Sequence, residues 1–460
     1  MSFMSLTSLK KMIGNLAVVR YVACIFFVFL FNVSAVLMAV AFENELRFPV
    51  LGKEVAVVSD ADRDAADKLF KLATDEANAN NCTEAIQLII NAIERNPNHN
   101  DIREMFGYRL HNGEWRNDWE IKKLKDHVDH PRFGWIPADY VKNYEAGKRT
   151  INRQNWVSVA DEANYRTKIQ NGWKIFTPHY EIVTNHSLEE GAAWSRELEH
   201  LHNAWQFFTY GSLGDKARIK SIFQKKATIF LPLQHKVTIY RNKNDYVTDL
   251  TKIDPNIAKS NGYYFPNQKR AYFYAVSPSD DKAEIEAVRR VLLHEGSHQL
   301  FCEPRSSARS NESPGSRCNC WLVEGLAMFM ETLRIKDNRY VLGNITDERL
   351  YAAKYNAQNL NFYIPFGRIA KMGLNEFQEQ KDLSKLYSQA ATMTHFLMFA
   401  EEGKYRNALL KLVKLIHNGT DKPDSLSKLT GCSYDVLDEK YKEFLKKIPD
   451  DIEVENEIDK

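Results

Sequence analysis

Residues 291–301 read VLLHEGSHQLF. Within this stretch His294 and His298 lie four residues apart, and Glu295 follows the first histidine. Residues four apart share one face of a helix, so both imidazoles can reach a single ion. Zinc suits such a pair, because neutral imidazole is a good ligand and the ion accepts a tetrahedral geometry. Glu295 falls on the adjoining edge of the helix, where it can accept a proton from water and pass it to a leaving amine.

The alternative is a solvated helix that carries two histidines by chance. The residues that flank the motif are apolar and favour a buried helix: Val291, Leu292, Leu293, Leu300 and Phe301. Buried polar groups cost free energy unless they find a partner. We therefore predict a helix over residues 282–301 that binds one Zn²⁺ ion.

A third protein ligand is expected, because catalytic zinc sites use three and leave one position open. Glu324 lies 26 residues after His298, on an apolar segment predicted as a helix at residues 321–333. It stands beside Gly325, where a close approach to the motif helix is easiest. We predict Glu324 as the ligand. Glu331, seven residues on, lies on nearly the same helix face, as a partner of the ligands or as a plain surface residue.

The composition of the chain bounds its class. It has 460 residues, 44% of them hydrophobic and 27% charged, so it is long enough for two domains. A formal net charge of +2 gives no bulk attraction to nucleic acid, and we expect no nucleic-acid partner.

The N-terminus is predicted to be an export signal. Basic Lys10, Lys11 and Arg20 precede an apolar run at residues 21–41 that ends in the small-x-small pattern Ala39-Val40-Ala41. This order is typical of a signal peptide, residues 1–41, which is cleaved. The alternative is an uncleaved signal anchor in a membrane, because the run is long enough to span one. Either way the folded part is expected to be exported, to the periplasm, the cell surface or the medium.

Five cysteines follow the signal, and three of them flank the loop after the motif. In an oxidising compartment a disulfide from Cys302 to Cys318 or Cys320 could staple this loop. A second zinc held by cysteines is the alternative, but the spacing lacks the usual two-plus-two arrangement.

The remaining chain divides by composition. Residues 42–60 are predicted as a linker. Residues 61–170 hold two helices, separated at Asn80-Asn81 and ended by Asn96-Pro97, and then an aromatic-rich accessory region. The helical hairpin resembles one tetratricopeptide unit, which we expect to pack on its neighbours and to bind a protein partner. Residues 448–460 form an acidic tail.

Residues 171–447 follow an α+β order. A strand is predicted at 173–184, a long helix at 187–210 and a second strand at 236–240. A hairpin at 262–276 leads to the motif helix, and the C-terminal half is largely helical.

The motif together with Glu324-Gly325-Leu326-Ala327 resembles the gluzincin metallopeptidases, whose third zinc ligand is a glutamate on the following helix. The layout of residues 173–447, with Thr177-Pro178-His179-Tyr180, is similar to an uncharacterised family of exported bacterial proteins with a predicted peptidase domain. The resemblance implies a zincin-like catalytic domain, with a small mixed sheet and a helical C-terminal half. It also implies that Glu295 is the general base and acid.

The resemblance extends to an oxyanion donor. The stretch from Leu386 to Ala390 looks like the opening of the helix that carries the catalytic tyrosine in aminopeptidase-type members, which implies this role for Tyr387. His395 is the runner-up on the same helix. Two features of the family are missing: a Gly-x-Met-Glu-Asn stretch for a free amine, and an aspartate four residues after Glu324, where Met328 stands.

These observations predict an exported zinc-dependent peptidase, a hydrolase that acts on a peptide or protein substrate. The alternative is a non-catalytic binding protein, in which the zinc site is structural and the N-terminal helices recruit a partner. A structural site is closed, whereas a catalytic one keeps an open position.

Overall fold

The computed structural model describes residues 45–151, 155–213, 216–229, 234–275, 282–303 and 312–450. The predicted signal segment, residues 1–41, lies outside this part, as do residues 451–460 of the predicted acidic tail. Contacts group the chain into Met1–Glu45 and a second unit, Leu46–Lys460, which is described below. In the described ranges no helix combines the length and the apolar character needed to cross a membrane.

The two predicted N-terminal helices are confirmed as α1 (Asp60–Asn78) and α2 (Cys82–Arg95). Ser59 caps α1 by accepting a hydrogen bond from the Asp62 N–H. The reversal between the helices uses Asn80, whose φ of 67° lies in the left-handed region that asparagine tolerates. Helix α2 buries its isoleucines and ends at Asn96, just before a proline.

The predicted linker is partly built into the fold. Its residues Leu46–Pro49 form strand β1, which pairs antiparallel with Arg339–Leu342 far along the chain. Phe48 of β1 is buried and stacks on Phe207.

The aromatic-rich region consists of short elements around three two-stranded sheets. Of its tryptophans and tyrosines, Trp115 and Tyr144 are buried in the core, whereas Trp156 and Tyr165 are exposed and the others are partly buried. The elements are α3 (Asn100–Met105), β2 (Tyr108–His111), β3 (Glu114–Asn117), α4 (Asp118–Lys123), β4 (His127–His130), β5 (Gly134–Pro137), α5 (Val141–Glu145), β6 (Lys148–Thr150), β7 (Trp156–Ser158) and α6 (Val159–Tyr165).

The strand predicted at residues 173–184 is wrong as a single element, because the structure has a hairpin there. Strand β8 (Trp173–Phe176) turns at Thr177–His179 and returns as β9 (Tyr180–Thr184), with Ile175 opposite Ile182. Pro178 lacks the N–H that a continuous strand needs. The Thr177 hydroxyl accepts from the Tyr180 N–H and closes the turn.

A five-stranded mixed sheet follows from this hairpin. It is completed by β10 (His235–Tyr240), β11 (Gly262–Phe265) and β12 (Arg270–Tyr274), in the order β11-β12-β10-β9-β8. Strands β9, β10 and β12 are parallel, and β11 is an antiparallel edge strand. The connecting helices are α7 (Leu188–Leu213), α8 (Lys216–Phe223) and α9 (Lys243–Leu250).

The helical half begins with the motif helix, α10 (Lys282–Cys302), which packs against the sheet and α7. Every residue of the next helix, α11, is buried. The elements after α10 are α11 (Cys320–Met330), β13 (Arg334–Lys336), β14 (Arg339–Leu342), α12 (Glu348–Asn359), α13 (Phe366–Ile369), α14 (Leu374–Gln378), α15 (Leu383–Gly403), α16 (Arg406–His417), α17 (Ser425–Thr430) and α18 (Tyr434–Leu445). The backbone of α15 leaves the helical conformation at Ala400.

The architecture is mixed α+β, as predicted. One hydrophobic core joins α2 of the N-terminal hairpin to α7, α11 and α15. A second core lies between the five-stranded sheet and the helices α7 and α10. Residue 170 thus marks a change in the composition of the sequence. In the structure, residues on both sides of it belong to the unit Leu46–Lys460.

Candidate metal centre

The motif helix is held at its centre by a glycine. A Cβ on Gly296 would lie 2.6 Å from Leu201 Cδ2 of α7, so a larger residue would force the Leu201 side chain to move. This contact fixes one side of α10 against α7. His294 and His298 lie on another side and face α11.

His294, His298 and Glu324 present three ligand atoms to one point. Their Nε2, Nε2 and Oε2 atoms are separated by 3.1 Å between the histidines, 3.4 Å from His294 to Glu324 and 3.5 Å from His298 to Glu324. Zinc bonds of 2.0–2.1 Å in a tetrahedron put neighbouring ligand atoms about 3.3 Å apart. The three distances therefore fit one tetrahedral ion, and we call this group the first metal centre.

The donor atoms themselves point to a cation. Glu324 Oε2 is buried and accepts no hydrogen bond from any described residue. Burial alone would raise the pKa of Glu324, yet the adjacent His298 and His294 hold it well below its usual value, so the carboxylate is charged. A buried, charged and unsatisfied oxygen between two imidazoles is stabilised by a bound cation.

Gly325 makes a close helix contact, but not the predicted one. A Cβ there would lie 2.1 Å from Thr394 Oγ1 and 2.7 Å from the Ala390 carbonyl oxygen. Both belong to α15, so the predicted close approach to the motif helix is wrong. Glycine is required because α11 packs against α15, the helix that carries Tyr387.

Glu331 matches the first of its two predicted roles, as a buried partner of a ligand. Its Oε1 accepts a hydrogen bond from His294 Nδ1 at 2.8 Å, and its side chain is 2% exposed. Arg290 and Arg349 donate to the same carboxylate at 2.9–3.1 Å. A carboxylate on Nδ1 fixes the tautomer that leaves the Nε2 lone pair for a metal. Glu331 thus holds His294 from a position just after the end of α11, the helix that carries Glu324.

The surrounding carboxylates make the first metal centre attractive to positive charge. Burial lowers the pKa of His294, but the neighbouring carboxylates of Glu324 and Glu331 outweigh it and raise the pKa to about 10. Burial raises the pKa of Glu331, but His294 and the two arginines bring it down to about 2. Two fixed negative charges therefore face the imidazole pair.

Glu295 is positioned by the edge strand β11. The backbone N–H of Tyr264 donates to Glu295 Oε2 at 3.0 Å. Burial raises the pKa of Glu295 above its usual value, against the opposing effect of the two histidines and of this N–H. A carboxyl with a raised pKa is better placed to exchange protons near neutral pH.

Tyr387, the oxyanion donor implied by the resemblance, lies close enough to Glu324 to be influenced by its charge. Burial raises the pKa of Tyr387, and the charge of the Glu324 carboxylate adds to the effect. The phenol is therefore a protonated donor at neutral pH. Sequence reasoning missed Tyr263 of β11, whose pKa is raised by burial and by the charges of Glu295, Asp254 and Glu324. The signal that could have found Tyr263 is its place on the first strand of the hairpin that precedes the motif helix.

His395 is not brought to the first metal centre. It lies eight residues after Tyr387, about 12 Å along the helix axis. Its ring packs between Phe399 and Phe444, with centroids 4.5 Å and 5.8 Å away, and neither nitrogen bonds to a described residue.

The cysteines form no disulfide within the described ranges, unlike the predicted bridge from Cys302. The Cys318 thiol donates to Asp421 Oδ2 at 3.1 Å instead. Cys320 is buried at the start of α11, where burial and the Glu324 charge raise the pKa of its thiol well above the usual value. Both thiols are thus held in their protonated form, which is the unreactive one.

Exposure distinguishes the ligands of the first metal centre. The side chains of His294 and His298 are 15% and 16% exposed, whereas Glu324 is 6% exposed. Three ligands with solvent on the imidazole side leave a position that a water or a substrate can reach. The residues present therefore fit a divalent metal ion in an open site.

No known protein-family model matches the chain, and no curated protein matches it significantly. The function proposed for this protein is therefore based on the geometry of the site.

Proposed function

We propose that this protein is an exported zinc-dependent peptidase of the gluzincin type, with a zincin-like catalytic domain. The observation that carries the proposal is the triangle of His294, His298 and Glu324 donor atoms beside the carboxylate of Glu295. The partial exposure of both imidazoles favours it over the alternative of a closed structural site.

A bound Zn²⁺ would supply Lewis acidity, which polarises a carbonyl and lowers the pKa of water toward about 7. The chain's part is to hold the donors in place. Glu331 keeps the proton of His294 on Nδ1. Arg290 and Arg349 in turn hold Glu331, so the imidazole cannot rotate without breaking several charged hydrogen bonds.

Glu295 carries the proton. Its carboxylate accepts a proton from the attacking water and then delivers it to the nitrogen of the leaving amine. The Tyr264 N–H fixes one carboxylate oxygen. The other oxygen of the carboxylate is the one that we assign to proton transfer.

Two phenols are placed to donate to the oxygen that becomes negative as the peptide carbonyl is attacked. Tyr387 lies near Glu324. The charges of Glu295 and Glu324 help to raise the pKa of Tyr263. A donor aimed at developing charge strengthens as the transition state forms. We assign the main role to Tyr387, because burial and the charge of the proposed metal ligand Glu324 keep its phenol protonated beside that ligand.

The edge strand β11 gives the substrate a place to lie. It is the outermost strand of its sheet, and the Tyr264 N–H points away from β12 toward α10. An extended peptide can add to such an edge through its main chain. We propose that the substrate backbone runs along β11, between this strand and the first metal centre.

The decisive experiment compares Glu295→Gln with His294→Ala on an unbiased peptide library, with and without a chelator. Glu295→Gln should keep its zinc and lose about 100- to 10,000-fold in rate, because the base is removed and the ligands are intact. His294→Ala should lose both the metal and the activity. Cleavage by the unaltered protein should stop when the chelator is added.

Glu286→Gln is the matched control, because Glu286 lies on the same helix and is exposed. It should leave both zinc and activity unchanged. An unimpaired Glu295→Gln protein would falsify the mechanism, and chelator-resistant cleavage would remove the role of the metal. Absence of any cleavage by a zinc-loaded, folded protein would favour the non-catalytic alternative.

A further inference from the structure

A second group of metal-binding side chains lies outside the first metal centre. His179, Glu199 and His202 place one ligand atom each within 4.8 Å of the others. We call these three residues the His179 cluster. It shares no residue with the first metal centre and has no part in the proposed reaction.

The His179 cluster is assembled by a tight turn and a long helix. His179 lies in the turn between β8 and β9, and Glu199 and His202 lie three residues apart on α7. The N–H of His179 donates to Glu199 Oε1 at 2.8 Å, and its Nδ1 lies 2.7 Å from Glu199 Oε2. The carbonyl of His179 accepts from the N–H of His235 at 2.7 Å, which ties the turn to β10.

The two imidazoles of the cluster are buried and lie against each other. Their rings are stacked with centroids 3.7 Å apart and an interplanar angle of 15°. One nitrogen of each ring and one carboxylate oxygen of Glu199 lie within 4.8 Å of one another. Because the ring planes are nearly parallel, one ring has to turn about its Cβ–Cγ bond for both nitrogen lone pairs to meet at one ion.

The carboxylates near the cluster have no fixed cation as a partner. Glu199 pairs with His179, and the buried Glu303 at the end of α10 pairs with His235. Among the described residues no lysine or arginine forms an ion pair with either glutamate. The fixed charges of these two side chains are both negative, which favours the binding of a cation in this largely buried region.

Two buried polar atoms beside the cluster also lack partners among the described residues. The hydroxyl of Tyr180 has no hydrogen bond, although the residue is fully buried and feels the charges of Glu199 and Glu303. Gln299 Oε1 is likewise unsatisfied, while its amide group donates to Glu303 at 2.8 Å. Unsatisfied buried atoms in a folded protein point to an ion or a water that bonds to them.

We propose that His179, Glu199 and His202 bind a second divalent transition-metal ion, of the Zn²⁺ class, in a structural site. Two imidazoles and a carboxylate are the donor set that such ions prefer. The His235–Glu303 pair and the Tyr180 hydroxyl crowd the same region, so the site keeps no position for a substrate. The ion links the β8–β9 turn to α7, and through His235 it reaches β10 and the end of α10.

The test counts metal ions per chain in a protein whose first metal centre has been removed. The variant His294→Ala/His298→Ala is loaded with Zn²⁺, passed through gel filtration and measured by elemental and native mass spectrometry. One ion per chain is expected. Adding His202→Phe, which keeps a flat ring but removes the donor, should bring the count to zero.

His200→Phe in the same background is the matched control. His200 lies two residues from His202 on α7 but contacts Tyr340 of β14 instead of the cluster. The control should still hold one ion. A count of zero in the starting variant, or an unchanged count of one after His202→Phe, would overturn the proposal.

A second measurement applies if His202→Phe does not fold. Native mass spectrometry of the unaltered chain with Zn²⁺ should show two ions, and Glu199→Gln should lose one of them. One ion in the unaltered chain, or two ions in Glu199→Gln, contradicts the second site. If the His179 cluster held a water molecule and no ion, mass spectrometry would give the same contradicting counts. The outcome does not depend on whether the protein cleaves peptides.

Discussion

The first metal centre and the His179 cluster use the same donors, two histidines and one glutamate, yet they differ in access to solvent. His294 and His298 are partly exposed beside a general base, whereas His179 and His202 are stacked and buried. A site whose ligands solvent can reach has room for a substrate, whereas a site with buried ligands can only hold an ion. Donor identity alone would not separate them.

The two clusters also differ in how the chain builds them. The first uses the four-residue spacing of a single helix, and its third ligand comes from the next helix. The His179 cluster joins a turn to a helix, 20 residues apart from His179 to Glu199. Helices hold the donors of the first metal centre, whereas hydrogen bonds of Thr177, Glu199 and His235 hold the turn that carries His179.

The largest effect is expected from a substitution that tests whether catalysis depends on the first metal centre and not on the His179 cluster. Tyr387→Phe should lower kcat about 100- to 1,000-fold, because the phenyl ring cannot donate to the developing oxyanion. Zinc content should stay the same. Tyr180→Phe, beside the His179 cluster, should leave kcat unchanged. Steady-state kinetics on a peptide found in the library screen measures both.

Near-normal activity of Tyr387→Phe would remove its assigned role. Tyr263→Phe would then be expected to show the loss instead, since Tyr263 is the other phenol near the catalytic carboxylates.

A smaller effect concerns the support of the first metal centre. Glu331→Gln should weaken zinc binding there about 10- to 100-fold, because a neutral amide holds the His294 proton less firmly than a carboxylate. Competition with a chelator measures the affinity. The ion of the His179 cluster should be retained. Glu348→Gln is the control, because Glu348 is exposed and contacts only Arg290 of this network.

Equal weakening of both ions in Glu331→Gln would mean that the variant disturbs the whole fold. The two sites would then not be independent.

The smallest effect is expected at His395, a buried histidine that we assign to no metal site, and it concerns the pH dependence of stability. Burial lowers its pKa from 6.5 to about 3 in the folded protein. Between these values the unfolded chain binds a proton that the folded protein does not, so stability falls as pH drops from 6.5 to about 3. The loss is about 1.4 kcal/mol per pH unit at most. His395→Phe should remove this loss and fit the aromatic surroundings.

Urea unfolding at pH 7 and pH 5 gives the free energy of unfolding of both proteins. The difference between the two proteins should grow at pH 5. An identical pH dependence would show that His395 is accessible to protons in the folded state.

Helices and hairpins that follow from local periodicity could be predicted from the sequence. The motif helix, the apolar helix of Glu324 and the hairpin before the motif all follow from spacing and composition, and the structure contains each of them. Glu324 was found because a carboxylate on an apolar helix is costly without a partner. The single strand at 173–184 was wrong because alternation continued through a turn, and Pro178 was the local signal against it.

Contacts between distant segments could not be predicted. The pairing of β1 with β14, the approach of Gly325 to α15 and the three-part assembly of the His179 cluster depend on how the elements pack. In the sequence His179 lies within a predicted strand, and no local pattern links it to Glu199 and His202. Its turn position, beside Glu199 and His202, became visible only with the fold.

The contact at Gly325 couples two parts of the first metal centre mechanically. Glu324 precedes this glycine on α11, and the α15 backbone that touches it lies one turn after Tyr387. A substitution that moves α11 against α15 would therefore displace the proposed ligand Glu324 and the phenol of Tyr387 relative to each other.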